Sequence, residues 1–105
     1  VNKWSDEAKL IRYSGGGQDS DGFPIDLERE EKPVFCDMQS VKETEFFRAA
    51  EHGVNALYTA VIHSYEYSGE KFVEYQGVEY SVYRSYEKKD KEVVELTLAE
   101  NKRDG

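Results

Sequence analysis

Lys71-Phe72-Val73-Glu74-Tyr75-Gln76-Gly77-Val78-Glu79-Tyr80-Ser81-Val82-Tyr83-Arg84-Ser85-Tyr86 consists of two runs rich in Val and Tyr, split by the pair Gln76-Gly77. β-Branched and aromatic side chains suit a pleated, half-buried surface. A two-residue break containing glycine suits a tight hairpin. Residues 71–75 and 78–86 are therefore predicted as antiparallel strands. In the second strand Val78, Tyr80 and Val82 fall on one face and Glu79, Ser81 and Tyr83 on the other, because side chains alternate along a strand. Tyr80 and Val82 are predicted core positions.

The same pattern extends in both directions. Lys88-Lys89-Asp90 reads as a hairpin turn into a strand over 92–99, where Val94, Leu96 and Leu98 line one face and Leu96 is a predicted core residue. Upstream, Ser68-Gly69-Glu70 reads as a turn that follows a strand over 56–67. Consecutive strands joined by short turns tend to pair, which predicts a meander. The expected fold is mainly β: a small antiparallel β-barrel or curved meander with one short α-helix.

That helix is predicted over 41–52. Ser40 and Glu43 have the spacing of a capping box, and Gly53 stands where a left-handed cap would end the helix. Phe46, Phe47, Ala50 and either His52 or Val54 supply a partial apolar face, so Phe46 is a predicted core residue packed on the meander. Residues 34–41 alternate as a strand, and residues 7–14, which mix Leu10, Ile11 and Tyr13 with polar residues, fit a short strand better than a helix. Between them, Gly15, Gly16, Gly17, Gln18, Asp19, Ser20, Asp21 and Gly22 offer no apolar anchor, and ordering glycine is entropically costly. Phe23, Ile25 and Leu27 then alternate with Pro24, Asp26 and Glu28, giving an extended hairpin arm in which Pro24 fits an edge or a strand start. The charged run Glu28-Arg29-Glu30-Glu31-Lys32-Pro33 is expected to break the strand as a solvated turn. Residues 14–32 are thus predicted as a flexible loop and hairpin, and residues 100–105 as a disordered tail.

The chain has 105 residues, enough for one domain spanning 1–105 but not for two stable cores. Hydrophobic residues are 38% and charged residues 34%, so the core must be thin and the eight Tyr and five Phe must carry much of the burial. The net charge of −8 disfavours direct binding of nucleic acid or anionic membrane. No stretch approaches the roughly 20 apolar residues of a membrane span, and the start lacks an apolar signal core. A soluble, cytosolically made chain is expected.

Catalytic and cofactor chemistry find little support in the residues. Cys36 is the only cysteine and is expected to be a small half-buried apolar residue. His52 is expected to sit at the helix C-terminus, favoured there by the helix dipole, and His63 lies within a strand. No HxH, CxxC or HExxH spacing is present, and the glycine run matches neither a P-loop nor a dinucleotide motif. Asp19-Ser20-Asp21-Gly22 resembles the start of a calcium loop, but Phe23 and Ile25 fall where ligands are needed. Neither metal nor cofactor is expected. Tyr65, Tyr67, Tyr75, Tyr80, Tyr83 and Tyr86 could stack bases, but Glu66, Glu70, Glu74, Glu79 and Glu87 are interleaved with them, which favours packing or a protein interface.

From residue 40 onward, the order of features resembles the head-closure (head–tail joining, or stopper) family of tailed bacteriophages and prophages. Ser40-Val41-Lys42-Glu43-Thr44-Glu45-Phe46-Phe47-Arg48-Ala49-Ala50 is similar to that family's helix opening, and Gly53 ends it. Gly69-Glu70, Val73-Glu74-Tyr75-Gln76-Gly77-Val78-Glu79-Tyr80-Ser81-Val82 and Arg84-Ser85-Tyr86 resemble its hairpin, and Glu95-Leu96-Thr97-Leu98 its closing strand. About 60 C-terminal residues carry the likeness, and the N-terminal part agrees more loosely. The resemblance implies a non-enzymatic β-barrel subunit that forms a ring, twelvefold in related phages, between a portal-bound adaptor and the tail. It also implies a DNA conduit that passes DNA without binding it specifically. Gly15 to Gly22 would form a channel-gating loop, and the protein would pass from the host cytoplasm into the virion. The alternative is a small β-barrel module binding single-stranded nucleic acid or peptide, because fold alone does not decide function.

Overall fold

The computed structural model describes residues 4–101; of the tail expected to be disordered over 100–105, Glu100 instead ends a strand, its N–H donating to Asn55 O (2.9 Å), and 102–105 lie outside the described residues. Its elements in order are β1 (Asp6–Gly15), β2 (Leu27–Ser40), α1 (Glu43–Glu51), β3 (Ala56–His63), β4 (Phe72–Tyr75), β5 (Val78–Lys88) and β6 (Val93–Glu100). The six strands close into an antiparallel barrel in the order β1-β2-β3-β6-β5-β4. Full closure leaves no sheet edge within the barrel wall.

One residue in two along each strand points inward. Ala8 and Leu10, Val34 and Cys36, Ala60 and Ile62, Val73, and Val94, Leu96 and Leu98 form the interior. Leu96 is fully buried, as the alternation predicts. Tyr80 and Val82 pack against this cluster from half-buried positions. The rings of Tyr75 and Tyr80 meet that of Tyr58 edge-on, at centroid distances of 5.7 and 5.5 Å.

The barrel is not a plain meander. The β4–β5 hairpin forms as expected, with Gln76 and Gly77 both at positive φ (51° and 78°), the combination a two-residue turn of matching twist requires. The expected β3–β4 hairpin does not form. β3 ends at His63 and pairs with β6 and β2, whereas β4 pairs with β1. The connection crosses from one side of the barrel to the other, and polar contacts to the β1–β2 pair hold it. Arg12 Nη2 donates to Ser68 O (2.8 Å) and Lys32 Nζ to Glu66 O (2.7 Å). The buried Glu70 carboxylate accepts the Ser68 N–H at 2.7 Å, with Arg12 3.9 Å away.

The helix is shorter than predicted, and its start differs. Ser40 is the last residue of β2, paired with Tyr58, so it cannot serve as a cap. Lys42 occupies that position and makes no side-chain capping bond. The C-terminal end follows expectation: Gly53 takes a left-handed conformation, its N–H donates to Ala50 O (3.0 Å), and that of Val54 to Ala49 O (3.0 Å). The predicted core role of Phe46 is corrected. Ala49 is the buried helix residue, while Phe46 is 36% and Phe47 57% exposed, their rings edge-to-face at 5.5 Å. A nine-residue helix has room for one narrow contact stripe, and α1 presents the small Ala49 along it.

Candidate assembly surface: the β1–β2 arm and the α1 groove

Beyond Ile11, β1 has no β4 partner, and before Asp37, β2 has no β3 partner. The remaining stretch is a two-stranded ribbon that leaves the barrel, and the molecule measures 53 × 31 × 25 Å. The expected break at residues 28–33 is corrected here, because this charged run is continuous strand. Glu28, Arg29, Glu30, Glu31 and Lys32 face Ser14, Tyr13, Arg12, Ile11 and Leu10 across the ladder. Of these only Glu30 faces a charged partner, Arg12. Glu74 and Glu79 are directly opposed on β4 and β5, a destabilising arrangement of like charges. Arg29 reaches both, at 2.8 and 3.5 Å, and also pairs with Glu31, while Lys9 lies 3.2 Å from Glu31 and 3.7 Å from Glu74. The Tyr13 hydroxyl donates to Glu79 at 2.6 Å. Arg29 is held above its ordinary pKa, first by its hydrogen bond with Tyr13 and then by Glu74.

The eight residues of the predicted gating loop all lie at or near the tip of this arm. Gly15 ends β1 opposite Leu27 at φ +82°, and a Cβ there would stand 2.5 Å from the Asp26 carbonyl oxygen, a backbone collision. Glycine is therefore sterically required. Gly16 N–H donates to Asp26 O (3.3 Å), Ile25 N–H to Gly17 O (2.9 Å), and Gln18 bridges to Pro24. Asp19 organises the tip: its Oδ1 accepts from the N–H groups of Asp21 and Phe23, both at 2.9 Å, and its O from that of Gly22 at 3.0 Å. Gly15, Gly16, Gly17, Gln18, Asp19, Ser20, Asp21 and Gly22 thus close a hydrogen-bonded hairpin end. Phe23, Ile25 and Leu27 alternate along it at 67%, 44% and 63% exposure. This is an apolar stripe without cover among the described residues.

A second feature was not foreseen from the sequence. β5 carries an irregularity at Tyr83: Val82 pairs with Leu98, but Arg84 pairs with Thr97. The extra residue reverses the facing of all that follows. Arg84, Tyr86 and Lys88, which share parity with the inward Tyr80 and Val82, turn outward beside α1. They line a groove of about 400 Å³ with Lys42, Arg48 and Glu45. Glu45 lies 3.2 Å from Arg84 and 3.8 Å from Arg48, and Lys88 is 2.9 Å from Glu95.

The titratable side chains have structural surroundings. His52 caps α1, its Nδ1 3.0 Å from Arg48 O. His63 stacks between Trp4 (4.0 Å) and Tyr65 (5.3 Å). Cys36 is buried, and its thiol is pushed up to about 12, mainly by burial and further by Asp6 and Asp37. Asp6 accepts the Met38 N–H at 2.9 Å. Among the described residues no group of three or more His, Cys, Asp or Glu is placed to hold a metal ion. No helix of the described chain is long and apolar enough to cross a membrane. No family model matches this chain, and no curated protein matches it.

Proposed function

We propose that this protein is a structural subunit of a phage or prophage head–tail connector. It assembles with copies of itself into a ring that closes the DNA-filled capsid and offers the tail its attachment surface. The observation that carries this reading is the arm. A monomeric domain gains nothing from a ribbon that holds Phe23, Ile25 and Leu27 in water, whereas a contiguous exposed apolar surface on a rigid element is what an assembly interface requires. The ring, its twelve copies, the adaptor and tail as neighbours, and the gating role of the tip come from the resemblance of residues 40–98 to head-closure proteins. The net charge of −8 fits a conduit that passes DNA without gripping it. In this reading the protein does no chemistry, and it moves from the host cytoplasm into the virion.

The test is assembly itself. The full chain, mixed with portal-bearing heads that lack a connector, should form annular particles visible by electron microscopy and should let the heads retain their DNA. Heads that leak and carry no density at the portal would refute the proposal. A salt-dependent, micromolar complex with single-stranded DNA in place of ring formation would favour a binding module instead.

A further inference from the structure

We infer that the acidic arm of one copy docks in the groove beside α1 of a second copy, giving a head-to-tail contact. This deepens the ring reading and rests on it. The arm and its tip, residues 12–30, carry five carboxylates, Asp19, Asp21, Asp26, Glu28 and Glu30, against Arg12 and Arg29, a net −3 of the chain's −8. The groove has the opposite balance: Lys42, Arg48, Arg84 and Lys88 outnumber Glu45 and Glu95, a net +2. In a protein this acidic, a locally basic groove complements the arm, and complementary charge sets orientation and register between partners. Tyr86 lines the groove at 53% exposure and offers aromatic surface to the uncovered Ile25 and Leu27.

Topology places donor and acceptor where such a chain of contacts needs them. In the ring β1-β2-β3-β6-β5-β4, the arm strands β1 and β2 lie opposite β6 and β5, whose outer face floors the groove. Each copy can therefore give its arm on one side and receive its neighbour's on the other. A contact between unlike surfaces does not terminate at a dimer, and it closes into a ring when the rotation per copy allows.

The experiment is sedimentation of the full chain over a concentration series, with circular dichroism to verify folding. The wild type should associate beyond a dimer, and more weakly as salt rises. Asp26→Lys with Glu28→Lys should weaken association by about tenfold or more, as should Lys42→Glu with Arg48→Glu, because each places like charges across the contact. All four side chains are exposed. Mixing the two charge-reversed proteins should restore assembly, because both new arm–groove pairs are again of opposite sign. Wild-type-like association of either variant, or a mixture that stays dissociated, would overturn the arm–groove contact and leave the ring reading standing. A wild type that is monomeric at every concentration and remains so on connector-free heads would overturn both.

Discussion

The barrel wall and the arm are made from the same two strands with the same alternation, yet one is core and the other lies in water. In β1, Ala8 and Leu10 are buried, and in β2 so are Val34 and Cys36, because β4, β3 and β6 complete the enclosure around them. A few residues along the same ribbon, Leu27 is 63% exposed: it falls on the face of the outward Phe35, itself 57% exposed, and not on that of Val34 and Cys36. Period-2 patterning specifies which side chains share a face. Burial of that face depends on what lies opposite, in the same chain or in another.

That contrast can be tested at its deepest point first. Leu96→Ala should cost about 2–5 kcal/mol in urea unfolding, since Leu96 is fully enclosed and its neighbours can only partly fill the gap. A loss below about 1 kcal/mol would mean that the interior is not a packed core. Gly15→Ala probes the junction where wall becomes arm. The collision with Asp26 O and the positive φ predict a loss of about 1–3 kcal/mol, measurable as a lower melting temperature. An unchanged melting temperature would show that the hairpin end is free to rearrange.

Cys36 sharpens the comparison through pH. Its thiol titrates near 12 in the folded chain against an ordinary value of 9.0. The native state therefore holds its proton through a window in which the unfolded chain has lost it. The stabilisation is complete below pH 9 and disappears as pH rises towards 12, so alkaline unfolding should become easier across that window. Cys36→Ser should flatten that part of the stability–pH curve, and the native thiol should resist alkylating reagents at neutral pH. Rapid labelling of the folded protein would contradict the burial.

The exposed aromatics should matter least to the isolated fold. Phe46→Ala should cost no more than about 1 kcal/mol, well short of the roughly 3 kcal/mol of a core phenylalanine. At the arm, replacing residues 16–26 by Asn-Gly between the paired Gly15 and Leu27 should leave barrel stability within about 0.5 kcal/mol of wild type and abolish assembly. Calorimetry and electron microscopy would read the two effects separately. A destabilised barrel would show that the arm belongs to the core.

Features read correctly from the sequence are those decided within a few residues. Gln76-Gly77 requires a two-residue turn whatever surrounds it, Gly53 supplies the left-handed residue that ends α1, and Val94, Leu96 and Leu98 share a face because β geometry repeats every two residues. Three other features depended on distant partners. Strand pairing is one: β3 joins β6 and β4 joins β1, and the connection between them meets Arg12 and Lys32, residues far away in sequence. Burial is another, since Phe46 and Leu96 both sit in apolar patterns and only packing separates them. The third is the extra residue at Tyr83, which turns Arg84, Tyr86 and Lys88 outward against the alternation. Local geometry acts through steric rules that each residue carries with it, whereas register and enclosure arise from contacts between segments that meet only once the barrel has closed.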